Sequence, residues 1–226
     1  MLRINSRQKI DKKNTGRNDL IKFIAIAAMV VDHIGLVFFP QIIFLRIIGR
    51  IAFPVFAMSI AEGYRYTANF KDYLLRIILL AAVSQIPYMF LFNTGKLNDL
   101  FTLALALIFI MAVDKKKYYL ALLVIAIPCF ISFNYGIYGI LMAAIFYYLK
   151  SKNIYLLASL SAITVVYSLV YNWPVQLFAY LGFLLIIYLP LAKIKLVLPR
   201  YFFYWFYPAH LLLLIILKYS LIACLK

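Results

Sequence analysis

The sequence predicts an all-α protein: a polytopic integral membrane bundle of about nine transmembrane helices (eight to ten), with its N-terminus in the cytoplasm. Three observations predict it. The chain has 226 residues, 67% of them hydrophobic and 18% aromatic, with a mean hydropathy of +0.97, a balance that excludes a water-soluble domain of this size. Apolar runs of membrane-helix length recur from end to end with no second domain between them. The net charge of +16 is carried by lysines and arginines gathered in short loops. In a soluble protein that excess would suggest nucleic acid, but between apolar spans it is a topology signal.

Residues 1–17, MLRINSRQKIDKKNTGR, read as a basic cytoplasmic tail against an anionic leaflet. The bundle then occupies 18–226. Helix one runs about 18–39, with Asn18 or Asp19 as its N-cap, and Pro40 ends it. Its apolar run is too long for a cleavable signal peptide and carries Asp32 and His33 inside it. Helix two runs about 44–64 through Gly49-Arg50-Ile51-Ala52-Phe53-Pro54. The others run about 71–92, 99–113, 118–132, 136–149, 154–171, 174–191 and 200–224. Those at 99–113, 118–132 and 136–149 are shorter than the roughly 20 residues of a perpendicular span, so they are expected to tilt, extend into loops or lie buried. Cys129 and Cys224 read as small apolar core residues.

Loop charge sets the orientation. Arg65 and Lys71, Lys115 to Lys117, Lys150 and Lys152, and Lys193, Lys195 and Arg200 fall in alternate loops. They share a face with the six basic residues of the tail, while the opposite face has little more than Arg46, Lys96 and Lys226. The positive-inside rule places that first face in the cytoplasm and the C-terminus outside.

Several ionisable groups remain at membrane depth, where an Asp or Lys costs roughly 2.5–3.5 kcal/mol on insertion scales and generally marks function. Lys22 and His33 stand eleven positions apart in helix one, on the same face and about 16 Å apart along the axis. Lys22 either snorkels to the headgroups or looks inward. Asp32 lies beside His33, yet residues i and i+1 point about 100° apart, so Asp32 either orients His33 obliquely or contacts Arg50. Arg50 lies at a similar depth. Arg76 and Glu62 lie near the cytoplasmic side with Lys22. His210 follows Tyr207-Pro208, near mid-membrane. Ser84, Gln85 and Asn98 add uncharged polarity, with Asp99, Thr102, Asn134 and Gln176. Together these residues describe a wet cavity threading the bundle. A histidine beside a carboxylate is a common way to build a base near neutral pH. The chain has no zinc motif, GxSxG, P-loop or GxGxxG, and no metal site is expected.

These residues also carry a resemblance. The series Lys22, Asp32-His33-Ile34-Gly35, Gly49-Arg50-Ile51-Ala52-Phe53-Pro54, Tyr73-Leu74-Leu75-Arg76, Ser84-Gln85-Ile86-Pro87, Asn98 with Phe101-Thr102-Leu103, Tyr135-Gly136-Ile137-Tyr138-Gly139 and Tyr207-Pro208-Ala209-His210-Leu211 resembles the TraX family, in order over most of 18–213. TraX proteins are linked to N-terminal acetylation of conjugative pilin, and the family resembles the larger transmembrane acyltransferases, including the acyltransferase-3 and heparan-glucosaminide acetyltransferase types. Those show a basic residue and a histidine eleven apart in the first helix. The resemblance implies cytosolic acetyl-CoA as donor and a catalytic histidine at His33. Two positions depart from the pattern: Asn134 stands where an acidic residue is expected, and Asp99 where an apolar one is.

The expectation is therefore a multi-pass protein of the bacterial plasma membrane that transfers acetyl from acetyl-CoA to an amine, such as a peptide or protein N-terminus, or to a hydroxyl. His33 would be base or nucleophile, Asp32 its orienting partner, and Arg50 a partner of Asp32 or an oxyanion donor. Lys22 and Arg76 would bind the CoA phosphates. His210, Tyr207, Gln85, Asn98, Ser84 and Glu62 would line the substrate cavity. The alternative is a proton-coupled transporter of a small anion or peptide, with the same histidines as its relay.

Overall fold

The computed structural model describes residues 19–149, 154–189, 196–199 and 201–224. The basic tail and the loop residues Lys150, Lys152, Lys193, Lys195 and Arg200 lie outside them. The described residues are all-helical: α1 (Leu20–Phe38), α2 (Ile43–Gly49), α3 (Ala52–Tyr66), α4 (Phe70–Phe92), α5 (Asp99–Asp114), α6 (Tyr118–Phe130), α7 (Gly136–Tyr148), α8 (Ile154–Val170), a 3-10 turn (Pro174–Phe178) leading into α9 (Ala179–Tyr188), and α10 (Phe202–Cys224). Among the described residues, four stretches are long and apolar enough to cross a membrane: Leu20–Phe38, Ile43–Tyr66, Phe70–Phe92 and Phe202–Cys224.

Each boundary has a local cause. Asp19 occupies the N-cap position of α1, but its carboxylate makes no capping bond there; it accepts instead from the Leu198 N–H at 3.1 Å. Helix α2 breaks from α3 at Arg50 and Ile51, because Pro54 has no N–H for the Arg50 carbonyl and sits in the first turn of α3, where proline is tolerated. Asn69 caps α4 by accepting from the N–H groups of Lys71 and Asp72. Asn98 caps α5 by accepting from Leu100 N–H at 3.0 Å.

The largest apolar core lies among α3, α4, α5, α7, α8 and α9, built on fully buried residues such as Leu107, Ile110, Ile140, Met142 and Phe183. A second, smaller cluster joins α1, α4 and α10 through Met29, Leu91, Tyr207 and Leu211. The short helices divide by role. α5 and α7 are enclosed by their neighbours, whereas α6 buries only Ala121 and Val124. Cys129 and Cys224 correct a sequence expectation: both are exposed on the outside of the bundle. An outer face turned to lipid is as apolar as a core, so an apolar neighbourhood does not imply burial.

Candidate active site

The site begins where α1 and α2 cross. Arg46 and Arg50 are one turn apart on α2, so both guanidinium groups reach the same face. Arg46 Nη1 lies 2.7 Å from Asp32 Oδ2 and Arg50 Nη2 lies 2.8 Å from Asp32 Oδ1. A Cβ at Gly49 would collide with the Asp32 carboxylate, so the approach requires glycine there. Arg50 uses its remaining donors on the Arg46 carbonyl, the Tyr135 hydroxyl at 3.0 Å and Gln176 Oε1 at 3.2 Å. Tyr135 reaches this point from a backbone with φ 58° just before α7, a conformation followed by Gly136 at φ 42°. Arg46, read from the sequence as an outer loop charge, is thus a partner of Asp32.

Asp32 therefore does not orient His33. Both of its oxygens are taken by arginines, and among the described residues no hydrogen bond joins it to the neighbouring imidazole. The contact with Arg50 is the one of the two sequence alternatives that the fold realises. The partner of His33 is His210: Nδ1 of His33 lies 2.9 Å from Nε2 of His210. Nδ1 of His210 lies 3.0 Å from the Phe206 carbonyl one turn earlier on α10. A carbonyl oxygen only accepts, so we assign the proton to His210 Nδ1. His210 Nε2 then accepts from His33 Nδ1–H, and the neutral pair leaves the lone pair on His33 Nε2. Phe92 meets the His33 ring edge-on at 4.9 Å and Phe206 stacks on His210 at 5.3 Å, which holds both rings.

Two cavities adjoin this centre. The larger, about 720 Å³, is lined at one end by Lys22, Glu62, Arg76 and Tyr66 and at the other by Asp99 and Tyr207. Lys22 Nζ stands 5.8 Å from the centre of the Phe203 ring. The smaller, about 20 Å³, is lined by Asp32, His33, Gly49 and Tyr135 and has room for about one water. Met29, Phe56 and Asp99 line both, so the cavities meet at a shared wall. From Lys22 to Met29 is seven residues of α1, a rise of about 10 Å.

Of the residues expected at the site, Lys22, Arg76, Glu62 and Tyr207 line the large cavity and Asp32 and His33 the small one. Arg50 stands behind Asp32, and His210 stands behind His33. Ser84, Gln85 and Asn98 correct the sequence reading, because they line neither cavity. Gln85 accepts from Asn98 N–H and donates to the Lys96 carbonyl, while Asn98 Nδ2 donates to the Ala81 carbonyl at 2.8 Å. That lattice ties the start of α5 to α4. Ser84 Oγ is buried and has no hydrogen-bond partner among the described residues. Sequence reasoning missed Arg46 and Tyr135 as site residues. The i, i+4 spacing of Arg46 and Arg50 was the available signal for the first. Asn134 and Asp99, the two departures from the expected pattern, touch: Asn134 Nδ2 donates to Asp99 Oδ1 at 2.5 Å.

The family model described as TraX protein matches residues 17–218, a span that includes every residue of both cavities. The chain belongs to the TraX family. Two curated proteins are similar to this TraX chain. It is 29% identical over 241 aligned positions to the probable fimbrial assembly protein FimC, serogroup H1, of Dichelobacter nodosus, covering 86% of this chain and 92% of that protein. It is 40% identical over 84 residues to the uncharacterized protein RP591 of Rickettsia prowazekii (strain Madrid E), covering 37% of this chain and 32% of that one. The chain thus spans about a third of the length of the Rickettsia protein. No solved structure matches it. In this TraX protein a histidine with one ring nitrogen unbonded among the described residues lines a small cavity, and a larger chamber with two cationic side chains adjoins it.

Proposed function

We propose that this TraX protein is a membrane-embedded acetyltransferase that draws on cytosolic acetyl-CoA. The observation that carries the reading is His33: its tautomer is set by His210, and its Nε2 is the one ring nitrogen of the pair without a hydrogen-bond partner among the described residues. The phosphates of CoA meet Lys22 and Arg76, and the pantetheine arm runs the length of the large cavity toward Met29. His33 Nε2 takes a proton from the acceptor as the acceptor nitrogen or oxygen attacks the acetyl carbonyl. The tetrahedral intermediate collapses with cleavage of the C–S bond, and the thiolate recovers a proton from His33. Arg50 and Arg46, tethered to Asp32, supply a fixed positive field beside the developing oxyanion.

In this reading the chain has nine membrane passages with its N-terminus in the cytoplasm of a bacterial cell, which brings Lys22 and Arg76 to the donor's side. The description of FimC as a fimbrial assembly protein, with the link of TraX proteins to pilin acetylation, favours a subunit of a surface appendage as acceptor. The test is purified protein in lipid nanodiscs with radiolabelled acetyl-CoA. Wild-type protein is expected to release CoA and label an acceptor, and His33→Ala to do neither. Proton-coupled uptake by reconstituted vesicles without any CoA release would replace this reading with the transporter.

A further inference from the structure

Asp99 is the one carboxylate that lines both cavities among the described residues. It is the first residue of α5, where the exposed amide groups of a helix start favour an anion. Asn134 Nδ2 holds its Oδ1 at 2.5 Å, which fixes the plane of the carboxylate. Its other oxygen accepts no hydrogen bond within the described residues. Tyr207 lines the same end of the large cavity, 7% exposed. Its hydroxyl is buried and has no hydrogen-bond partner among the described residues. A buried hydroxyl left unpaired is costly, so one that lines a cavity is placed for a ligand to complete its bonding. Asp32, the other acid of the small cavity, is already neutralised by two arginines. Asp99 is therefore the anionic group free to meet a substrate beside His33.

We propose that Asp99, with the Tyr207 hydroxyl, is the seat of the acceptor and makes this site specific for a primary amine over an alcohol. The proposal rests on the acetyltransferase reading and adds a residue and a selectivity to it. Charge divides the large cavity: at one end Lys22 and Arg76 outnumber Glu62 and suit the donor's phosphates, and Asp99 at the other suits an ammonium. The ammonium held by Asp99 gives one proton to His33 Nε2. His33 releases that proton, the freed lone pair attacks the acetyl carbonyl, His33 Nε2 takes a second proton from the nitrogen, and the C–S bond breaks as that proton passes to the thiolate. The products are the amide, CoA thiol and one proton released from His33.

Hexylamine and 1-hexanol, matched in length and differing in the reacting group, serve as probes in nanodiscs with acetyl-CoA. Wild-type protein is expected to acetylate hexylamine in preference to hexanol. Asp99→Asn should lower kcat/KM for hexylamine at least tenfold, mainly through KM, and lower it less for hexanol, so that the amine-over-alcohol ratio falls. Asp99→Glu should recover part of the amine preference, and Tyr207→Phe should weaken both probes. An Asp99→Asn protein that retains wild-type amine kinetics, or loses both probes equally, overturns this inference and leaves the acetyltransferase standing. A wild-type protein that binds no acetyl-CoA and acetylates neither probe overturns the underlying reading as well.

Discussion

His33 Nδ1 and His210 Nε2 lie 2.9 Å apart, joining α1 to α10 across 177 residues of chain. Through this bond His210 does for His33 what a carboxylate does in a serine-hydrolase triad: it selects the tautomer and aims the ring. Replacement of His33 by Ala should abolish acetyl transfer, a loss of at least 10²–10⁴-fold for a general base. His210→Ala should cost about 10–100-fold by releasing the tautomer, the range seen when a partner that orients a histidine is removed. Single-turnover CoA release from the two variants checks the order; a faster His33→Ala would reverse the roles.

Asp32 is a structural anion. Asp32→Asn leaves the buried Arg50 guanidinium and the part-buried Arg46 guanidinium without their carboxylate and should destabilise the fold by about 3–5 kcal/mol, as breaking a buried ion pair does. Adding Arg46→Gln to Asp32→Asn should recover part of that loss. Unfolding in detergent followed by tryptophan fluorescence measures both. An Asp32→Asn protein as stable as wild type, but inactive, would instead make Asp32 a direct participant in the chemistry.

Lys22 lines the large cavity, at the end proposed for the donor. A charged hydrogen bond to phosphate contributes about 1.5–3 kcal/mol, and 1.4 kcal/mol is a factor of ten in affinity. Lys22→Ala should therefore raise the acetyl-CoA Kd roughly tenfold or more by calorimetry. Unchanged Kd would move the donor to another face.

Loop charge predicts the orientation. A reporter fused after Lys226 should be extracytoplasmic, and one inserted at Lys115 to Lys117 cytoplasmic. A cytoplasmic C-terminus would change the number of passages by one.

The elements themselves were legible. The helix at 99–113 is α5 at Asp99–Asp114, whereas the single helix expected over about 44–64 divides into α2 and α3 ahead of Pro54. Proline, asparagine caps and charged loops act over a few residues, so sequence alone displays them. That His33 and His210 lie inside apolar helices was legible for the same reason. Which way each side chain faces was not. In a water-soluble helix the polar face marks the outside, but here both core and lipid are apolar, and Cys129 on the outer surface reads like any core residue.

What the sequence by itself determined is the set of apolar helices, their ends, and the short inventory of ionisable groups within them. Tertiary structure alone decided who meets whom. Asp32 is next to His33 in sequence yet bonds Arg46 and Arg50, because adjacent residues on a helix diverge while α2 crosses α1 with only Gly49 between. His33 bonds His210 because α1 and α10 pack together. Asp99 meets Asn134 because the chain just before α5 pairs with the turn before α7, Leu97 N–H to the Ser132 carbonyl and Asn134 N–H to the Leu97 carbonyl, both at 2.9 Å. Such pairings depend on the rotation of each helix about its axis, which a bilayer leaves free and only the packing of neighbouring helices sets.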